Sequence, residues 1–133
     1  MTFKIYLRLI GTEAAIRSFN TEASTAHSSV TTLRRQAGWP TVPATEPSWQ
    51  WQTKFVEAQS DTVEATIAQY VDAHRSLAAL IKKHRIGLTL ASLVVVVQCA
   101  EEELPSGLYI STGTISALHE LGVDVDVDFM RAT

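Results

Sequence analysis

The pattern of apolar positions along the chain is organised around Gly87–Ala100, which reads GLTLASLVVVVQCA. Its four consecutive valines, Val94–Val97, disfavour a helix and favour an extended strand. Since successive side chains of a strand point to opposite faces, both faces of this strand are apolar. We therefore predict a central strand against which the helices pack, with both faces covered or with the strand at the thickest part of the core.

Three further stretches alternate between apolar and polar residues and predict half-buried strands. Residues 3–10 place Phe3, Ile5, Leu7 and Leu9 on one face. The second stretch begins at Trp49, and the third is VDVDVDFM, whose aspartates occupy one face. A short apolar stretch, Leu108–Ser111, is predicted to pair with the valine strand as a hairpin. The segment Gly38–Ser48 contains three of the four prolines and predicts an extended loop.

Helical periodicity marks three segments between these strands. Thr12 is a candidate N-cap for a short helix that buries Ala15, Ile16 and Phe19. Residues 61–85 predict a long helix that starts with a capping box of Asp61 and Glu64, or with the Ser60 hydroxyl as an alternative cap. Residues 113–121 predict a third helix, with Ser111 or Thr112 as its cap and Gly122 after its end.

These elements define one α+β domain spanning residues 1–133. We expect a mainly antiparallel sheet with a long and a short helix packed on it, in the order β-α-β-α-β-β-α-β. Residues 20–47 give no clear pattern.

Composition narrows the functional classes. A net charge of −3 does not favour nucleic acid as the main partner. Cys99 is the only cysteine, which leaves no internal disulfide and no cysteine-based zinc site. The longest apolar run is too short for a membrane-spanning helix, and Lys4 and Arg8 interrupt any leader-like core. We expect a cytoplasmic protein without a cofactor or a membrane partner.

Acidic residues form two candidate sites, each with an ordinary alternative. Asp124, Asp126 and Asp128 share a strand face, where adjacent pairs could flank a metal cation or simply face solvent. The consecutive glutamates Glu101–Glu103 could join them in an acidic patch for a basic partner, or form a solvated turn. The three glutamates are Glu101, Glu102 and Glu103.

Large aromatic residues are the remaining candidates for binding. Trp39 lies in the proline-rich loop, and Trp49 and Trp51 belong to the strand that follows it. Together with Tyr109 they could line a pocket or anchor a partner, or the tryptophans could belong to the core. The spacing of Ser, His and Asp gives no catalytic motif.

The segment GLYISTGTISALHELGVDVDVDFM resembles the C-terminal signature of a bacterial family, domain-of-unknown-function family 4279. A short strand, a capped helix that ends in Leu-Gly, and an acidic alternating strand follow each other in both. The resemblance implies an α+β fold and a bacterial origin, and it supplies no catalytic residues.

Two functional hypotheses follow. The first is a non-catalytic protein-interaction domain, comparable to an immunity protein that blocks a toxin. The second is a domain that binds a small molecule or a metal ion beside the proline-rich loop, and an enzyme ranks below both. A homodimer that closes the sheet face around a two-fold axis is compatible with either hypothesis, as is a monomer.

Overall fold

The computed structural model describes residues 1–23, 28–33, 48–103 and 107–131, and within them one mixed sheet carries a layer of helices. The strands are β1 (Thr2–Gly11), β2 (Ser28–Leu33), β3 (Ser48–Thr53), β4 (Val56–Gln59), β5 (Leu88–Cys99) and β6 (Asp124–Arg131). The helices are α1 (Glu13–Ala23), α2 (Val63–Ala73), α3 (Ala78–Lys83) and α4 (Thr112–Leu121), with 3-10 turns at Arg75–Leu77 and Arg85–Gly87. The α+β class predicted from the sequence is confirmed.

The strand order is β2-β3-β1-β5-β6, and β4 pairs with β1 in line with β3. The longest pairing joins β1 and β5 in antiparallel register, with Tyr6 opposite Val94. Among the described strands, only β5 and β6 pair in parallel, with Val94 opposite Asp126. The described sheet is therefore mainly antiparallel, as predicted, and the valine strand lies inside it.

The predicted hairpin partner of the valine strand is wrong. Leu108–Ser111 has no regular secondary structure, and β5 instead pairs with β1 and β6. Because α4 connects β5 to β6, the chain returns to the same end of the sheet and the two strands run parallel. The apolar side chains of Leu108 and Ile110 pack against the core without joining the sheet.

The core lies between one face of the sheet and the helices. Alternate residues of β1 and β5 meet apolar helix residues there, and all of the following are at most 1% exposed: Phe3, Ile5, Leu7, Leu9, Ile16, Phe19, Ile67, Val71, Ile81, Leu93, Val95, Val97 and Leu121. The opposite face of β5 has no helix over it in the described part of the chain. Helices over one face of the sheet are as predicted, and Val94 and Val95, on opposite faces of β5, are both fully buried.

Two of the predicted helix caps are confirmed. The Thr12 hydroxyl accepts a hydrogen bond from the Ala15 N–H at 3.2 Å, and the Ser111 hydroxyl accepts one from the Thr114 N–H at 3.3 Å. Gly122 ends α4 with a φ of 83°, a left-handed conformation that glycine adopts without strain.

The predicted long helix is divided, and its capping box does not form. Thr62 occupies the N-cap position of α2 without a side-chain cap, because its hydroxyl instead accepts a hydrogen bond from the backbone N–H of Gln59 at 3.1 Å. At the other end, the His74 imidazole Nδ1 lies 2.8 Å from the Tyr70 carbonyl oxygen, and the chain continues as a 3-10 turn. None of the described helices has both the length and the apolar character needed to cross a membrane.

Candidate interaction surface

The sheet face opposite the helices carries the most distinctive group of side chains. We call it the bare face, and it is formed by Lys4, Tyr6, Arg8 and Ile10 of β1, Gln50 and Gln52 of β3, Ser92, Val94 and Val96 of β5, and Asp124, Asp126 and Asp128 of β6. None of these residues belongs to the core that the described helices complete.

Strand register arranges the bare face in rows that run across β1, β5 and β6. One row is Lys4, Val96 and Asp128; the next is Tyr6, Val94 and Asp126; the third is Arg8, Ser92 and Asp124. Basic or hydroxyl-bearing side chains therefore stand along β1, small or aliphatic ones along β5, and carboxylates along β6.

An ion pair spans the face from β1 to β6. Arg8 Nη2 lies 2.9 Å from Asp126 Oδ2, although β5 separates the two strands by about 9.6 Å, twice the normal interstrand spacing. The arginine side chain must therefore pass over β5 between Ser92 and Val94. Val94 is fully buried although it lies on the face without helices. The ion pair thus crosses the valine strand on this face.

The Arg8 guanidinium still has unused bonding capacity. Its Nε atom is buried and has no hydrogen-bond partner among the described residues. The side chain as a whole is 21% exposed. Arg8 can therefore accept a further partner without losing Asp126, since a guanidinium carries five N–H donors.

Tyr6 stands beside Arg8 in a half-buried position. Burial raises the pKa of its phenol, the Arg8 charge acts in the opposite direction, and the carboxylates of Asp128 and Asp126 raise it further. The phenol therefore stays protonated at physiological pH and is available to donate a hydrogen bond.

The three aspartates face solvent to different degrees, and only Asp126 has an ion-pair partner among the described residues. Alternate residues on a strand lie about 6.6 Å apart. Among the described residues, no three His, Cys, Asp or Glu side chains are grouped closely enough to hold a metal ion. The metal site at Asp124, Asp126 and Asp128 therefore gains no support from the geometry and stays a prediction.

The glutamate run belongs to the turn after β5. Glu103 Oε1 accepts a hydrogen bond from the Ala100 N–H at 3.1 Å, and Oε2 lies 3.1 Å from the Met1 amino group. The Ala100 hydrogen bond, followed by the Met1 charge, lowers the pKa of the Glu103 carboxyl. Glu103 therefore has a structural role, whereas Glu101 and Glu102 are exposed.

Arg131 contacts the turn that carries the glutamate run. From the end of β6 it donates hydrogen bonds to the carbonyl oxygens of Glu101 at 2.9 Å and Glu103 at 3.4 Å. A positive side chain thus lies beside the glutamate turn, and the acidic patch formed jointly with the aspartates stays a prediction. The bare face carries its own acidic row without help from the turn.

The aromatic candidates are dispersed. Trp51 is fully buried and packs edge-on against Phe19, with 4.8 Å between ring centroids, which supports the core interpretation. Trp49 is partly buried on the helix side, and the Arg17 guanidinium lies 4.6 Å from its ring centroid. Tyr109 is 69% exposed. Trp39 lies outside the described residues.

The grooves between α3 and α4, beside the end of β5 and on α1 include neither Trp49 nor Tyr109 in their linings. Trp49 pairs with Gly11, at the end of β1 that lies beside the start of β5. Tyr109 instead follows the far end of β5 and precedes α4. Because β5 has 12 residues, its two ends lie about 36 Å apart. The proline-rich loop lies outside the described residues, so the pocket beside it stays a prediction.

A second surface feature is a groove between α3 and α4 with a basic lining that includes Lys82, Arg85 and His119. Arg85 Nη2 donates a hydrogen bond to the Gly122 carbonyl oxygen at 2.6 Å. The carbonyl end of α4 opens into this groove and disfavours an anion there. The groove therefore serves helix packing better than ligand binding.

Sequence reasoning missed Tyr6 and Arg8, which are central to the bare face. Because Tyr6 and Arg8 alternate with apolar residues, the sequence placed them on the solvent-facing side of the first strand and gave them no binding role. The pairing of β1, β5 and β6 brings Arg8 to Asp126, and these residues are 118 positions apart in the chain. Such a separation leaves no local signal.

Comparison of the chain with known protein families, curated proteins and solved structures found no match. The resemblance to domain-of-unknown-function family 4279 thus stays a prediction, and no function is transferred from another protein.

Proposed function

We propose that this chain is a non-catalytic, cytoplasmic protein-interaction domain that covers a basic surface of a protein partner with its bare face. Its mode of action is that of bacterial immunity proteins, which block a partner by covering it. The observation that carries the proposal is the cluster of Tyr6, Arg8 and Asp126 across three strands.

The composition of this cluster suits a protein interface. Tyrosine and arginine are enriched among the residues that contribute most to protein–protein binding. Arg8 is already held by Asp126 at 2.9 Å. A side chain that is fixed before binding loses less conformational entropy on association. The cluster therefore offers anchors that are already in position.

The shape of the surface favours a macromolecular partner over a small one. A small molecule needs a concave pocket that buries most of its surface. The bare face is one side of a sheet whose side chains stand in three rows. Such a face provides broad contact and suits a protein surface.

The excess of carboxylates on the bare face favours a basic partner. Asp124 and Asp128 flank the Arg8–Asp126 pair and have no cationic partner among the described residues. Opposite charges across an interface accelerate association and exclude wrong partners. Lys4 is the remaining cation of the three rows, so carboxylates outnumber cations there.

Affinity capture from the source organism tests this proposal. The wild-type protein is compared with a D124K/D128K variant, and the captured proteins are identified by mass spectrometry. The matched control is E64K/E120K, which makes the same change in net charge at exposed positions of α2 and α4.

We expect a stoichiometric protein partner with wild type and with the control, and loss of that partner with D124K/D128K. Binding should also weaken as salt is added, since salt screens exposed charges. A partner that the aspartate variant retains in full would overturn the proposal, as would wild-type protein that captures no partner.

A further inference from the structure

We propose that, without its partner, the bare face binds the bare face of a second copy of this chain around a two-fold axis parallel to β5. This inference rests on the proposed function, in which the bare face is an interaction surface. A second copy of the chain would compete with the partner for that face. The homodimer and the partner complex would then exclude each other.

The charge rows of the bare face are self-complementary under this symmetry. A two-fold rotation about an axis above β5 exchanges the two sides of the sheet and keeps each row at the same level. Lys4 of one copy then faces Asp128 of the other, because both belong to one row. Arg8 lies at the same level as Asp124 of the other copy, and its guanidinium stays with Asp126 of its own chain. Each contact occurs twice, as a two-fold interface requires.

The middle row is complementary too. Tyr6 of one copy faces Asp126 of the other across the axis. The protonated phenol can donate a hydrogen bond to that carboxylate, which is 41% exposed beside Arg8. Each copy of Asp126 would then bind Arg8 of its own chain and Tyr6 of the second copy.

Side-chain lengths match across the interface as well as charges. Packed sheets lie about 10 Å apart. The long side chains of Lys4 and Tyr6 would stand opposite the short aspartate side chains of the other copy. On the axis, the partly exposed Val96 meets Val96 of the second copy. Charged and polar side chains surround this contact.

Edge-to-edge pairing of two copies is a less favourable alternative. The outer edge of β6 pairs with no strand among the described residues. Antiparallel addition of a second β6 would set one aspartate row directly beside the other. Like charges at such close cross-strand positions are destabilising. The aspartates therefore oppose self-association at the edge and support it across the face.

The size of the face indicates a weak dimer. With the axis above β5, three strands of each copy overlap, and three positions of about 4.8 Å and eight residues of about 3.3 Å give roughly 400 Å² per copy, or about 800 Å² in total. This area is in the range of weak, transient contacts. We therefore expect self-association that depends on concentration and yields to a better partner.

Sedimentation velocity across the micromolar concentration range tests the inference with a charge swap. The variants are Lys4→Asp, Asp128→Lys and the K4D/D128K double variant. Each single change places like charges opposite each other, so we expect a monomer. The double variant restores opposite charges, so we expect the dimer to return.

Controls separate an interface effect from a folding effect. Lys4 also lies 4.7 Å from the Phe55 ring centroid, so circular dichroism and thermal unfolding must accompany each variant. Lys82→Asp, an exposed position on α3, repeats the charge change of Lys4→Asp away from the bare face and should leave the dimer intact.

A wild-type monomer at all concentrations would overturn the inference. A dimer unchanged by both single variants would do so too, because the contact would then lie elsewhere. A monomer that still captures a partner through the aspartates would leave the proposed function intact. A charge-dependent dimer without any captured partner would instead remove the proposed function alone.

Discussion

Arg8 and Asp126 join the first strand of the chain to its last across an intervening strand, with 2.9 Å between Nη2 and Oδ2. The edge strand β6 pairs only with β5 among the described strands, and this pairing is parallel. Parallel pairing is slightly less stable per residue than antiparallel pairing. The Arg8–Asp126 ion pair therefore gives β6 a second attachment to the sheet, in addition to its backbone pairing with β5.

Removing Asp126 should cost more than an ordinary surface ion pair. Partly exposed pairs contribute about 0.5–1 kcal/mol. Asp126→Ala also leaves the half-buried Arg8 guanidinium without this acceptor, so we expect a loss of about 1–2 kcal/mol in the free energy of unfolding. Urea denaturation of D126A, R8M and the double variant measures the loss and the coupling of the pair.

Asp124 provides the control for this cycle. It lies on the same strand face, is exposed and has no ion-pair partner among the described residues. Asp124→Ala should change the free energy of unfolding by less than about 0.5 kcal/mol. Equal losses for the two aspartates, or additive effects of D126A and R8M, would show that the pair does not contribute.

Gly11 should tolerate no side chain. A Cβ atom there would lie 2.3 Å from the Gly87 carbonyl oxygen and 3.1 Å from the Leu88 Cα, both of them backbone atoms. The Gly87 oxygen also accepts the Thr12 N–H at 3.0 Å, so it cannot withdraw without loss. We expect Gly11→Ala to lower the free energy of unfolding by about 1–3 kcal/mol.

Gly107 is the matched control for that substitution. A Cβ atom at Gly107 would meet no other atom within 4 Å. Gly107→Ala should therefore be neutral or slightly stabilising. Urea unfolding curves that coincide for the two alanine variants would contradict the close approach of β1 to the turn before β5.

Trp51 and Trp49 should differ sharply in their contributions to stability. Trp51 is fully buried, and its Nε1–H donates to Asn20 Oδ1 at 3.2 Å. Trp51→Ala should cost about 3–5 kcal/mol. Trp49→Ala removes a partly exposed ring and its contact with Arg17, and the cation–π part is worth about 0.5–1 kcal/mol. Denaturation followed by circular dichroism gives both values, and equal costs would contradict these positions.

The sequence predicted those parts of the fold that have a local cause. Alternation placed Phe3 and Ile5 on the buried side of β1, and Ser111 and Gly122 marked the limits of α4. The strand predicted at Leu108–Ser111 failed, because so short a stretch of apolar residues fits a strand or a packed coil equally well. Contact with the core decided between them.

The sequence predicted one part of the candidate site, the aspartate row, and missed the other part, Arg8. The aspartate row follows from its period of two, whereas its partner Arg8 depends on strand order. Asp61 and Glu64 likewise fit a capping box, but the Thr62 hydroxyl bonds back to Gln59. Local spacing thus identified groups able to interact, and long-range pairing determined which of them met.

Acid should weaken the attachment of the turn after β5. The hydrogen bond from Ala100 and the charge of Met1 hold the pKa of Glu103 below its ordinary value of 4.5. A lowered folded-state pKa contributes stability above the ordinary value, and this contribution is lost as the pH falls through the folded pKa. Thermal unfolding temperatures of wild type and Glu103→Gln should thus differ at neutral pH and converge below pH 4.5. Glu102→Gln, an exposed neighbour, should follow wild type throughout, and a Glu103→Gln difference that persists undiminished in acid would contradict this assignment.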